Sequence, residues 1–383
     1  MILYLGIFFT MVVLYYGTLS SPKSKGLLMA IMAFLAVFVG ISDMFGGYDR
    51  YIYGEVFDEV ADRMRDGGNL FETALFLMYK KEFGYCLLNV LVGIFSANRY
   101  IFILVATLLI YACLYVSFKR HTNNYVFAVI LFLGLWFFFS FTYLRQVLGA
   151  SIVWLSIRFV IERKLKSFLV MVFIGASFHN SAIMLLPLYF IPIKVFNKER
   201  IIIVMGFLLL LGLTGGPGMF FEAYGSVMEN DQGRVQENLM DTSGFRIAYL
   251  IEAVFFLFFI LTNYEAITKT RAQTVMTNAA LVFCGILLFF VKSENGGRIS
   301  WYYMIGIIST LTYIASYQRR VTNTAITLIL VCLFLYVRVY NSWQVYLNLY
   351  PYKTFFTNGH REGDYSWEKY EYDHNYDIDK FYR

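Results

Sequence analysis

The chain has 383 residues, of which 59% are hydrophobic, 20% aromatic and only 15% charged, with a formal net charge of +6. Too little charge is present to cover the surface of a water-soluble globule, so the composition excludes a soluble enzyme and defines a polytopic membrane protein. The net positive charge calls for no nucleic-acid partner, because its location in short connections accounts for it.

In chain order, apolar segments predict helices at 4–19, 27–42, 100–118, 125–141, 147–161, 168–177, 182–195, 201–213, 245–261, 275–291, 300–315 and 325–339. The expected fold is therefore all-α, with about twelve transmembrane helices. Nothing charged precedes Ile2 and no small-residue cleavage site follows, so the first segment reads as a retained helix rather than a signal peptide. Basic residues cluster at Lys23 and Lys25, Lys119 and Arg120, Arg163 to Lys166, Lys194 to Arg200, Lys269 and Arg271, and Arg319 and Arg320. The positive-inside rule places these connections in the cytoplasm and both termini outside. The stretch 71–96 breaks at Lys80-Lys81-Glu82 into pieces too short to span, and is expected to form a re-entrant or interfacial hairpin.

The large outer loops lie at 45–98 and 214–244 and are expected to be irregular. They are acidic, carrying Asp49, Glu55, Asp58, Glu59, Asp62 and Asp66 in the first and Glu222, Glu229, Asp231, Glu237 and Asp241 in the second. Residues 1–340 read as one membrane domain, and 341–383 as an aromatic-rich extracytoplasmic tail that packs on the outer loops. The four cysteines, Cys86, Cys113, Cys284 and Cys332, lack metal-ligand spacing, so neither a zinc site nor a disulfide framework is indicated.

Two positions stand out as candidate catalytic residues. Arg145 and His179 each lie at the tip of a hairpin of apolar segments, and an ionisable group at membrane depth is costly enough to be a functional candidate by default. The chain between Lys166 and Lys194 is far shorter than the ~40 residues that two full crossings require, which recesses His179 below the outer surface. Non-helical backbone at that depth is tolerated when it is buried in protein or lines a water-filled cavity. Arg145 and Gln146 directly precede the helix expected from Val147, and Gly296-Gly297-Arg298 precede the one expected from Ser300; helix starts with an arginine suit phosphate oxygens. The bland alternatives are a snorkelling interfacial arginine, an ordinary outer turn, and a histidine satisfied across helices. Asp49 is either a carboxylate for sugar hydroxyls or a solvated charge paired with Arg50.

With these residues in view, the chain resembles the EpsG-like polysaccharide polymerases, grouped with the Wzy-type enzymes, over roughly 41–303. The resemblance rests on Gly47-Tyr48-Asp49 followed by Tyr53, on Glu82-Phe83-Gly84-Tyr85 followed by Leu88-Asn89, on Leu144-Arg145-Gln146, on Phe178-His179-Asn180-Ser181-Ala182, and on Arg298-Ile299-Ser300-Trp301-Tyr302-Tyr303. Members typically carry proline at the position of Phe83, where this chain departs. The resemblance implies a glycosyltransferase of the bacterial plasma (inner) membrane with its active site on the extracytoplasmic side. It would polymerise repeat units linked to an undecaprenyl-type polyprenyl diphosphate into capsule, exopolysaccharide or O-antigen. His179 is then the expected base for the acceptor hydroxyl, and Arg145 and Arg298 the cations for the departing diphosphate. Asp49, Tyr53, Glu82, Tyr85, Gln146, Asn180 and Tyr302 would bind substrate. No acidic pair suited to a metal stands beside the phosphate site, so neither metal nor other cofactor is expected. Expected partners are the lipid-linked oligosaccharide, membrane lipid, and a flippase and chain-length regulator of the same pathway. A flippase or transporter of lipid-linked sugars remains open, although no internal repeat is evident; so do an O-antigen ligase-like transferase and a purely structural membrane subunit.

Overall fold

A computed structural model describes residues 1–227, 244–293, 295–316, 321–345, 349–350 and 352–356. Among them regular structure is helical, apart from one isolated bridge between Ser42 and Thr354. The helices are α1 (Ile2–Gly17), α2 (Lys25–Gly40), α3 (Tyr48–Arg65), α4 (Ala74–Met78), α5 (Phe83–Phe95), α6 (Arg99–His121), α7 (Tyr125–Leu135), α8 (Phe139–Thr142), α9 (Leu144–Trp154), α10 (Ile157–Glu162) and α11 (Leu165–Phe178). They continue with α12 (Pro187–Phe190), α13 (Lys198–Leu213), α14 (Gly216–Val227), α15 (Ile247–Thr262), α16 (Tyr264–Ile267), α17 (Arg271–Phe289), α18 (Asn295–Ser300), α19 (Met304–Ala315) and α20 (Asn323–Gln344). The acidic positions 229–241, Glu294, Arg319, Arg320, Tyr346 and the tail from residue 357 onward lie outside the described residues.

Side chains that accept from first-turn amides fix where several helices start, since those donors have no partner within the helix. Ser24, Asn98, Asn124, Asn197 and Thr322 do this for α2, α6, α7, α13 and α20. Thr270 and Gln273 form a reciprocal capping box at α17. Among the described residues, four helices are long and apolar enough to cross a membrane: Arg99–His121, the continuous run Leu144–Glu162, Arg271–Phe289 and Asn323–Gln344. Seven shorter apolar helices accompany them, so the structure defines a helical membrane protein without setting the crossings at twelve.

Several expected segments are shaped differently. The segment 125–141 stops at Leu135 and resumes as the short α8. The segment 182–195 is a 3-10 turn over Asn180–Leu185 followed by α12, because Pro187 starts that helix and Pro192 beyond it has no amide to continue one. The expected irregular loop at 45–69 contains the 18-residue α3. Tyr53, Val56, Phe57, Val60 and Ala61 recur at helical spacing and are buried, while Glu55, Arg63 and Arg65 are exposed. The break expected at Lys80-Lys81-Glu82 is present, between α4 and α5, both too short to span.

The chain divides into two compact units. The first comprises Met1–Ser156, Lys166–Ile183 and the described residues from 321 onward. Within it α2 and α9 pack on α6, α1 and α20 pack on α7, and α3 lies across α5 and α6. Three buried arginines tie this unit together. Arg50, fully buried on α3, donates through Nη2 to the carbonyls of Val39 (3.0 Å), Gly40 (3.1 Å) and Ser42 (2.8 Å). It thereby answers the carbonyls at the end of α2 and sets a positive charge where the helix dipole is negative. The backbone amide of the neighbouring Asp49 donates to Thr142 Oγ1 at 3.0 Å. Arg99 pairs with Asp58 through Nε (2.8 Å) and Nη2, joining α6 to α3. The third is Arg145. Near the end of the described chain, Tyr352 stacks on Phe38 at 4.4 Å, while the amides of Asp43 and Phe355 donate to Lys353 and Ile41.

The second unit comprises Ile157–Leu165 and Met184–Tyr317. Here α17 is central, packed by α13, α15 and α19. Gly306 lets α19 approach closely: a Cβ there would lie 2.6 Å from the amide nitrogen of Ala280.

Candidate functional site

The first unit gathers most of the candidate residues around one carboxylate. Arg145 stands in the first turn of α9, which starts at Leu144 rather than at Val147, so both Arg145 and Gln146 belong to the helix. Its Nη1 donates to Glu82 Oε2 in a buried ion pair, with the two side chains 9% and 7% exposed. Glu82 ends the break between α4 and α5, and its other oxygen accepts the backbone amide of Asn180 at 3.1 Å. One carboxylate therefore joins the start of α9 to the turn that follows α11.

Aromatic rings enclose the guanidinium. Its carbon lies 4.0 Å from the centroid of Tyr79 and 5.6 Å from those of Tyr53 and Tyr85, within cation–π range. All three rings are buried. Burial pushes the Tyr53 hydroxyl above its ordinary range, against the opposing pull of Arg145. Arg145 Nε is buried without a hydrogen-bond partner among the described residues, so the ion pair with Glu82 does not use up the donors of the arginine. Asp49, half-buried, stands one turn before Tyr53 on α3.

His179 follows α11 and is half-exposed, with Nδ1 2.7 Å from Ser181 Oγ. Its amide donates to the Gly175 carbonyl at 3.1 Å, and its own carbonyl accepts from the Ala182 amide at 2.9 Å. Two glycines bring it beside α9. A Cβ on Gly149 would lie 3.1 Å from His179 Cβ and 3.2 Å from the Gly175 carbonyl oxygen; one on Gly175 would overlap Val153 Cγ1. Such small residues let helix backbones approach. Gly149 is one turn after Arg145, so arginine and histidine are served by the same face of α9. Gly84 completes the arrangement, since a Cβ there would overlap Ser177 Oγ at the end of α11.

The departure at Phe83 has a local explanation. Phe83 is the first residue of α5, the position where a helix accepts proline readily, and here its ring packs on Phe173 of α11 at 5.6 Å. Sequence reasoning missed Tyr79, the ring nearest to Arg145, and the facing glycines Gly149 and Gly175. Tyr79 gave a weak signal, an aromatic three residues before Glu82 in a segment that breaks. The glycines became readable only once α9 and α11 were known to touch.

Arg298 and Tyr302 belong to the second unit. Arg298 is exposed on α18, and Tyr302 is fully buried in the 3-10 turn Trp301–Tyr303. Gly296 and Gly297 lie inside α18 rather than before a helix from Ser300; the Gly297 amide donates to the Tyr249 hydroxyl at 3.0 Å. A Cβ on Gly296 would lie 2.5 Å from Phe290 Cβ, so this glycine serves close packing.

Fold and cluster together define a polytopic helical membrane protein with a buried arginine–carboxylate pair beside an accessible histidine. The chain belongs to the EpsG family, whose sequence model matches residues 25–354. Among curated proteins and among solved structures, none matches it. Membership in this family supports a role in polysaccharide biosynthesis and suggests a polymerase-type function.

Proposed function

We propose that the protein is a glycosyltransferase that polymerises repeat units linked to a polyprenyl diphosphate into a surface polysaccharide, at the extracytoplasmic side of the bacterial plasma membrane. The observation that carries this reading is the Glu82 carboxylate that holds Arg145 with one oxygen and the backbone of Asn180, next to His179, with the other. It ties a fixed cation to a titratable imidazole, the two groups that displacement of a diphosphate by a sugar hydroxyl requires.

In the proposed reaction His179 removes the proton of the acceptor hydroxyl, and the freed oxygen attacks the anomeric carbon of the donor sugar. The bond from that carbon to the diphosphate oxygen breaks, and the electron pair leaves with the diphosphate, whose charge Arg145 stabilises. Ser181 fixes the imidazole: with Nδ1 protonated and donating to Ser181 Oγ, Nε2 carries the lone pair of the base. Glu82 orients Arg145 and resists its displacement. Tyr53, Tyr79 and Tyr85 exclude water around the guanidinium, and Asp49, Gln146 and Asn180 bind sugar hydroxyls. The positive charge is supplied by arginine, so polymer formation is expected to continue in excess chelator.

Purified protein supplied with its lipid-diphosphate-linked repeat unit tests this reading. Wild type is expected to produce a ladder of polymer. His179→Ala is expected to lower the initial rate about 10²- to 10⁴-fold, the usual contribution of a positioned base. Polymerisation by folded His179→Ala and Arg145→Ala at the wild-type rate would sink the assignment. Transport of the lipid across liposomes without a ladder would make the protein a flippase.

A further inference from the structure

The second unit contains a cavity of about 500 Å³ against α13 and α17, large enough for a small ligand. Met205, Leu208, Leu281 and Ile286 make its walls, and Phe290 and Tyr303 line its far end. The Tyr303 hydroxyl donates to the Met184 carbonyl at 2.6 Å, so that end offers no polar group in need of a ligand. The opposite end carries Arg200, exposed in the first turn of α13, and Asn278, which is 4% exposed. Asn278 Nδ2 donates to the Pro192 carbonyl at 3.2 Å, but its Oδ1 is buried without a partner among the described residues. An unmet buried acceptor costs free energy and calls for a donor from elsewhere.

The dimensions indicate what the cavity takes. Asn278 and Phe290 are twelve positions apart along α17, about 18 Å at the helical rise. One leaflet supplies roughly half of the ~30 Å hydrocarbon core, so the cavity matches one extended chain in one leaflet. Val204 of α13 lines the cavity and is itself exposed, beside the exposed apolar residues Ile203 and Phe207.

We propose that this cavity binds one acyl chain of a membrane phospholipid, with its phosphate on Arg200 and a headgroup N–H or O–H donor on Asn278 Oδ1. A hydrocarbon tail satisfies the apolar wall, and an anionic head with a donor satisfies the one polar end. By the positive-inside rule, the connection Lys194 to Arg200 places that head in the cytoplasmic leaflet, where basic residues meet anionic lipid. The lipid would act as a structural ligand of the second unit, independently of the chemistry assigned to the first.

The full-length protein in nanodiscs of phosphatidylethanolamine and phosphatidylglycerol, with a trace of phospholipid carrying a diazirine in its acyl chain, provides the test. After photolysis, label should concentrate on peptides bearing 204–208 and 281–286. In Arg200→Gln it should fall about three- to tenfold, as expected for a partly screened charge-assisted contact. Labelling of Ile251 and Phe258, on the exposed face of α15, should stay unchanged. Val282→Trp, which fills the cavity, should abolish it; if that variant fails to fold, Arg200→Gln decides alone. Equal labelling of the cavity and of α15, or no response to Arg200→Gln, would overturn the proposal. So would displacement of the label by an isoprenoid phosphate but not by unlabelled phospholipid.

Discussion

In the first unit, three buried arginines are each held by fixed acceptors. Arg50 meets three carbonyls, Arg99 meets Asp58, and Arg145 meets Glu82 inside a cage of three tyrosine rings. The second unit encloses an apolar cavity in which the buried Asn278 leaves an acceptor unmet. The contrast separates two uses of buried polarity. A charge held in place by a carboxylate suits a reacting anion, whereas an unmet acceptor that lines an apolar pocket suits a bound molecule with a donor. The two proposals accordingly assign chemistry to the first unit and lipid binding to the second.

That division can be broken by substitution, most severely at Glu82. Glu82→Ala leaves the Arg145 charge buried without its partner and frees the Asn180 amide, which should lower stability by about 3–5 kcal/mol. Thermal unfolding in detergent measures it, and a loss below about 1 kcal/mol would mean that the pair is solvated. Gly175→Leu should come next, at about 1–3 kcal/mol, because its side chain would have to displace Val153 and push α11 from α9. Polymer formation should fall further than this stability loss explains, since His179 moves with α11. Asn278→Leu should have the smallest effect, about 1 kcal/mol or less, as it removes one hydrogen bond together with one unmet acceptor. Its polymerisation rate should match wild type; a large loss of rate would place chemistry in the second unit as well.

Arg145 and His179 were legible in the sequence because each is a polar residue at the tip of a hairpin of apolar runs, whereas Glu82 stood out through the family resemblance. The break at Lys80-Lys81-Glu82 was legible because three charged residues interrupt an apolar stretch. Helix α3 was not, since its charged residues resemble a loop when scanned for membrane spans, and its period at Tyr53, Val56, Phe57, Val60 and Ala61 signals burial against protein instead. The role of Arg50 was hidden because carbonyl acceptors at the end of α2 carry no side-chain signature. Pro187 and Pro192 announced the broken arm after His179, but hydrophobicity alone extended a helix through it. The cage around Arg145 depends on contacts between α3, α5 and α9 that no local pattern encodes.

The central claim is that the Glu82–Arg145 pair is there for reaction rather than for folding, and a paired substitution tests it most directly. Arg145→Met with Glu82→Gln removes both charges, fills similar volume and keeps an oxygen for the Asn180 amide. Replacing a buried ion pair by neutral groups of similar size is often neutral or stabilising. The double variant is therefore predicted to unfold at or above the wild-type temperature while forming no polymer from the lipid-linked repeat unit. Polymer made at the wild-type rate by that stable double variant would contradict the account.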